Sequence, residues 1–205
     1  MWAVPPYWTA AKAHLRSVDP VLGAIIDSHE DPPLRSKGRV FETLVHAIVG
    51  QQISAKAADA VWGRFLALVG EVTPERVRAQ STEDARAVGL SGRKVEYIFG
   101  LAENGSWVDH FDWQPLDDDA VRRKLISLRG IGPWTAEMVL IFSLLRPDVF
   151  PLGDIGVLRS IEDLYAGGAR LPIEKIEEIG SVWAPYRTVA TWYLWRHVDA
   201  EPVEY

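Results

Sequence analysis

The sequence predicts an all-α protein of about ten helices, and three observations carry that prediction. Apolar residues recur at helical spacing in one segment after another, as in Phe41, Leu44, Val45, Ile48 and Val49. Capping residues open several of these segments: Ser54, Thr73 ahead of Pro74, and Ser81. No run alternates between apolar and polar residues in the manner of a strand, and no segment repeats another.

With 205 residues the chain can bury a substantial core, as one ordinary domain or two small lobes. At 48% hydrophobic and 24% charged residues, its composition is that of a soluble globular protein. There is no cysteine, which excludes disulfides and a cysteine-ligated iron–sulfur cluster. Met1-Trp-Ala-Val-Pro-Pro lacks the basic start and apolar core of a secretory signal, so a cytoplasmic location is expected. The longest apolar stretch, Met138 to Leu145, is too short to span a bilayer. Five histidines are scattered without metal-ligand spacing, which argues against a hydrolytic metal centre. A net charge of −6 argues against coating nucleic acid with a basic surface, but leaves room for a small local footprint.

Residues 8 to 29 read as two helices around Asp19-Pro20, with Ala11, Leu15, Val21, Leu22, Ile25 and Ile26 as apolar faces. Glu30 to Gly38 is a proline-rich polar connection. The helix through Phe41 and Val49 ends in Gly50-Gln-Gln-Ile-Ser54, and Ser54 caps the next, which runs to Gly70. Two adjacent glutamines at such a junction would ordinarily be solvated. Thr73-Pro-Glu75 and Ser81-Thr-Glu-Asp84 each start a helix, and Leu90-Ser-Gly-Arg-Lys94 leads into another through Val95, Ile98 and Leu101. Asp117-Asp-Asp119 opens a helix whose dipole its charge complements, and Val121, Leu125 and Leu128 repeat there among Arg122, Arg123 and Lys124. Each basic cluster, this one with Arg129 and the pair Arg93-Lys94, reads by itself as a solvated helix face.

Gly130-Ile-Gly132 breaks that helix, and Pro133 suits the first turn of the very apolar one that follows. The two glycines allow a turn with positive φ and leave no side chain between the backbone amides and another molecule. Amides at a fresh helix start bind anions, and a duplex phosphate is one candidate. An ordinary helix C-cap and turn is the plain alternative. Beyond lie the loop Asp148-Val-Phe-Pro-Leu-Gly-Asp154, helices over 155–165 and 172–179 around Gly167-Gly168, and a last helix with Thr188, Trp192 and Trp195 on one face. Aromatic residues at helical spacing are usually core, which is the reading for Trp183 and Trp192.

Leu128-Arg-Gly-Ile-Gly-Pro-Trp-Thr-Ala136 resembles the helix-hairpin-helix of the HhH-GPD superfamily of DNA glycosylases, and the last helix resembles their DNA-3-methyladenine glycosylase II branch. The likeness extends over roughly residues 41 to 197, in separate motifs that keep the family's order. It implies one glycosylase domain whose two lobes, approximately 1–38 with 147–205 and 39–146, carry the hairpin 128–136 beside a central cleft. An extra β-rich domain known ahead of the helical part in one bacterial member has no room here.

The resemblance also implies roles. Asp154 takes the position of the catalytic carboxylate, although an Asp opening a helix is equally a good N-cap. Asp148 comes too early in the pattern and is the weaker candidate. Gln51 lines the pocket for a flipped nucleotide, and Gln52 stands where other members place a leucine wedge. Gly130, Ile131, Gly132 and Thr135 of the hairpin, with Arg93 and Lys94 of a second loop, face DNA. Trp134 replaces the lysine by which strand-nicking relatives form a Schiff base, and with Trp195 it makes an aromatic wall suited to a cationic base.

The function implied is monofunctional, hydrolytic excision of alkylated purines of the 3-methyladenine type from damaged double-stranded DNA, in base excision repair, by a monomer that needs no cofactor. Hairpins of this family can hold Na or K through backbone carbonyls, which by position are those of Ile126, Leu128 and Ile131. A non-enzymatic DNA-binding protein, and a glycosylase for oxidised, deaminated or etheno bases, are the alternatives.

Overall fold

The computed structural model describes residues 2–29 and 32–199; Glu30 and Asp31, which begin the expected connecting loop, and the C-terminal end from Ala200 of the expected domain lie outside them. Among the described residues are twelve α-helices: α1 Trp8–Val18, α2 Pro20–Ser28, α3 Val40–Gly50, α4 Ala55–Val69, α5 Pro74–Arg78, α6 Thr82–Ala87, α7 Gly92–Asn104, α8 Asp118–Ile126, α9 Pro133–Phe142, α10 Ile155–Ala166, α11 Ile173–Ser181 and α12 Arg187–Val198. A 3-10 turn covers Ser106–Asp109. The only extended pairing among the described residues is an isolated bridge between Ala3 and Ser36. The all-α expectation is borne out. The helix starts expected at Thr73 and Ser81 are present, opening the short helices α5 and α6 of 5 and 6 residues.

The described residues form two compact units, one of 2–37 with 140–199, the other Gly38–Val139. The second division falls inside α9, seven residues before the expected 146/147 boundary. Packing explains the shift. Phe142 stacks on Trp195 at 5.6 Å between ring centroids and meets Trp192 edge-on at 6.5 Å. The carbonyls of Ser143 and Leu145 accept from Ser36 Oγ at 3.2 Å and Tyr7 Oη at 2.8 Å.

In the Gly38–Val139 unit, α3 is buried at every position from Val40 to Val49. Such an all-round apolar helix has to be surrounded, and α4, α7 and the 3-10 turn pack on it. His46, polar in that company, lies flat on Trp62 with centroids 4.1 Å apart.

In the other unit α10 packs on α12, and α12 also meets α1 and α2. Among its buried ionisable groups is Asp19, 6% exposed. As N-cap of α2 it accepts from the amides of Val21 at 2.9 Å and Leu22 at 3.0 Å. Its other oxygen accepts from Tyr165 Oη at 2.6 Å and Trp183 Nε1 at 2.8 Å. Burial, reinforced by Asp19 as acceptor and charge, pushes the Tyr165 hydroxyl far above its ordinary pKa of 10.0, so it stays a donor. Trp183 and Trp192 are core, as their spacing suggests.

Replacing Asp19 by alanine removes a helix cap and strands two buried donors. Asp19→Ala should therefore cost about 3–5 kcal/mol of unfolding free energy in urea titrations. Tyr165→Phe, which removes one donor and leaves the others in place, should cost about 1–2 kcal/mol.

Candidate functional site

The hairpin follows directly from α8. Asp117 caps that helix through the amide of Ala120 at 2.7 Å, and Val121 and Leu125 bury its apolar side. At its end the amide of Ile131 donates to the Leu128 carbonyl at 3.1 Å, closing the turn. Only Gly130 has a left-handed backbone, φ +87°, so the expectation that both glycines turn with positive φ is corrected. Gly130 is needed twice over, because a Cβ there would also run into the Tyr97 ring. Neither φ nor crowding requires glycine at 132, where a Cβ would meet nothing within 4 Å and the hairpin is bare. Ile131 and Thr135, expected to face DNA, are buried at 5% and 1% exposure.

The α3–α4 junction lies against this turn. Gln51 Nε2 donates to the Gly130 carbonyl at 3.2 Å and to Thr135 Oγ1 at 3.1 Å, so the side chain expected to line a pocket also ties the junction to the hairpin. Gln52 is exposed and left-handed, φ +60°, an unfavourable conformation for a residue with a Cβ. Ile53 beside it is 41% exposed, and Ser54 caps α4 through Ala57. Lys94, expected to face DNA, points its ammonium at the Val49 carbonyl at 2.7 Å and so closes the C-terminal end of α3. Burial holds its pKa below the ordinary 10.5. Arg93, next to it, is exposed. Arg129 on the hairpin pairs with Glu96 at 2.5 Å.

The loop to Asp154 is pinned by the first turns of α12. Arg187 grips Asp148 with two side-chain bonds of 2.7 Å, and its amide adds a third at 3.2 Å. Thr188 Oγ1 accepts from the Val149 amide at 2.9 Å and donates to the Arg146 carbonyl at 2.6 Å. Hydrogen bonding by Arg187, together with its charge, holds the Asp148 carboxyl below its ordinary 3.8 against the opposing effect of burial. Asp148 is thus committed to an ion pair. Phe150 meets the buried Trp183 edge-on at 5.6 Å, against Gly180, where no Cβ would fit.

Asp154 itself is half-buried. Its Oδ1 accepts from the Val157 amide at 2.9 Å, capping α10, and from Trp195 Nε1 at 3.0 Å. The cap reading and the resemblance therefore describe the same carboxylate. Trp195 is half-buried with one ring face on Phe142. Trp134, in the first turn of α9, is half-buried as well. Among the described residues no group of three or more His, Asp or Glu side chains could hold a metal ion. Sequence reasoning gave no site role to Arg187, Thr188 and Tyr97, whose partners are distant in sequence and leave no local signal.

The HhH-GPD superfamily of base excision DNA repair proteins matches residues 45–185. DNA-3-methyladenine glycosylase 1 of Schizosaccharomyces pombe is 31% identical over 198 residues, 92% of this chain and 86% of that protein. A solved structure of 3-methyladenine DNA glycosylase from the same yeast, in complex with abasic DNA, superposes with a TM-score of 0.83 at 32% identity, covering 91% of this chain and 95% of that one. DNA-3-methyladenine glycosidase from Bacillus halodurans gives a TM-score of 0.70 at 36% identity, covering 97% and 93%. The fold and these matches define the class: the chain belongs to the HhH-GPD superfamily of base excision DNA repair proteins. Within it, the chain stands with the DNA-3-methyladenine glycosylases, as its motifs imply. No helix among the described residues is long and apolar enough to cross a membrane.

Because the folded-state pKa of Asp148 is depressed, the pair's stabilisation is complete above the unfolded value near 3.8 and declines as pH falls through the folded one. Asp148→Asn should cost about 1–2 kcal/mol at pH 7, a value reduced for partial solvent exposure. Denaturant titrations across pH should show that difference shrinking below about pH 4.

Proposed function

We propose that the protein is a monofunctional glycosylase that hydrolyses the N-glycosidic bond of N3- or N7-alkylated purines in double-stranded DNA. The observation that carries this reading is the Asp154 carboxylate, half-buried at a helix start and bonded by an indole N–H at 3.0 Å. It supports a role beyond capping, because a cap alone needs only the Val157 amide.

The target base must first leave the stack. The bond between sugar C1′ and base nitrogen then breaks with its electron pair going to the base. A base that was cationic departs neutral and needs little protonation. The sugar is left as an oxocarbenium-like cation, which the Asp154 carboxylate stabilises while water adds at C1′ and gives up a proton. Trp134, where strand-nicking relatives carry lysine, offers no amine for an imine, and its indole face attracts a cationic base by about 0.5–2 kcal/mol. The bare backbone at Gly132 suits a grip on phosphate, with Gln52 as wedge and Arg93 as a nearby cation.

The chemistry needs no cofactor. A monovalent cation, Na or K, held by the carbonyls of Ile126, Leu128 and Ile131 would be structural. Leu128 already accepts one hydrogen bond there and has a second lone pair to offer. The protein acts as a monomer in the cytoplasm, on the DNA it contacts.

Duplexes carrying single alkylated bases should yield an intact strand with an abasic site that breaks only after alkali, and borohydride should trap no covalent adduct. Asp154→Asn should lower base release about 10²–10³-fold or more with duplex binding largely kept, since an amide cannot supply the charge. Comparable turnover by that variant would remove Asp154 from the mechanism. Gly132→Phe should weaken binding to damaged and undamaged duplex alike, because a backbone grip carries no sequence information. A change confined to lesion choice would contradict the grip.

A further inference from the structure

Gly156 stands in the first turn of α10, where glycine is a poorer helix former than alanine. Its φ is outside the left-handed region, so the backbone does not require glycine there. The surroundings do. A Cβ on Gly156 would lie 3.1 Å from Asp154 Oδ1, 3.3 Å from Trp195 Cδ1 and 3.7 Å from Trp195 Nε1, the very atoms that meet in the 3.0 Å bond between indole and carboxylate.

We propose that Gly156 is a positioning residue for base excision: its missing Cβ makes the room in which the Trp195 indole reaches Asp154 and fixes the carboxylate's orientation. The inference rests on Asp154 being the catalytic carboxylate. Neither partner is free to give way elsewhere. Trp195 stacks at 5.6 Å and 13° on Phe142, which is 2% exposed, so the ring has no slack on that side. Asp154 Oδ1 is held from below by the Val157 amide at 2.9 Å. A methyl group inserted beside both must therefore lengthen the bond between them, and hydrogen bonds weaken steeply beyond about 3.2 Å. The Val157 amide and the Trp195 indole both fall on Oδ1, and together they hold the plane of the carboxylate. Without the indole donor that plane is held less firmly, and charge that is not aimed at the developing cation is worth less there.

The test is Gly156→Ala, measured for single-turnover base release, for duplex binding and for thermal stability. The proposal expects release to slow about 10- to 100-fold, as when a hydrogen bond to a charged group is lost or strained. Duplex affinity should stay within twofold, and Tm should be unchanged or higher, because alanine favours the helix. Trp195→Phe removes the indole donor whose bond the added methyl would disturb, so adding Gly156→Ala to it should slow release by less than twofold more. Wild-type release by Gly156→Ala, a parallel loss of duplex binding, a Tm lower by several degrees, or full additivity with Trp195→Phe would each overturn the proposal. Asp154→Asn run alongside separates the two readings: if it is active, the assignment of Asp154 fails; if it is inactive while Gly156→Ala is unimpaired, only the role of Gly156 fails.

Discussion

Asp19 is almost wholly withdrawn from water, and a buried carboxyl group is tolerable only when its lone pairs are filled. Here four donors fill them, two from the positive end of α2 and two from side chains 146 and 164 residues further along. A unit assembled from both ends of the chain is thereby joined at one atom group. The consequences run outward. Trp183, oriented by its bond to Asp19, is the surface against which Phe150 packs edge-on. Phe150 precedes Pro151, whose carbonyl takes the amide of Asp154 at 2.9 Å. The place of Asp154 is thus inherited from a carboxylate that does no chemistry.

In the other unit the recurring constraint is the helix end, where carbonyls or amides lack partners. The fold meets it with side chains lent by neighbouring elements. Lys94 reaches the Val49 carbonyl at the end of α3, and Gln51 reaches the Gly130 carbonyl at the hairpin. These bonds tie α3, α7 and the hairpin together while leaving Gln52 and Ile53 exposed on a backbone that is unfavourable at Gln52. Unfavourable backbone persists only where its surroundings over-determine it, and here the flanking Gln51 and Ser54 are both bonded.

What could be read from the sequence was what is local. Ser54, Thr73, Ser81 and Asp117 cap the helices they precede because a cap needs only the next three residues. The division between the units inside α9 had no such signal, since the apolar run is unbroken across Val139 and Leu140 and only the rings beyond Phe142 decide it. Glycine identity marked the hairpin without revealing that Gly130 answers to φ and Tyr97 while Gly132 borders open space. Asp148 and Asp154 share one loop in sequence. Arg187, 39 residues away, separates them by taking Asp148.

A net charge of −6 fits a polyanionic partner only if side-chain charge is not the main source of grip. Several of the cations that composition would offer are already engaged: Arg129 with Glu96, Arg122 with Asp119, Arg187 with Asp148 and Lys94 with a carbonyl. Cations paired in this way release fewer counterions on meeting phosphate, so a weak hold on undamaged duplex and a shallow salt dependence are expected. Discrimination then moves to the steps after contact. Unstacking is cheapest for a base whose pairing is already impaired, and a single carboxylate suffices for a base that departs as a neutral molecule. On the proposed reading, an acidic chain with one well-held carboxylate is suited to lesions that are already prone to leave.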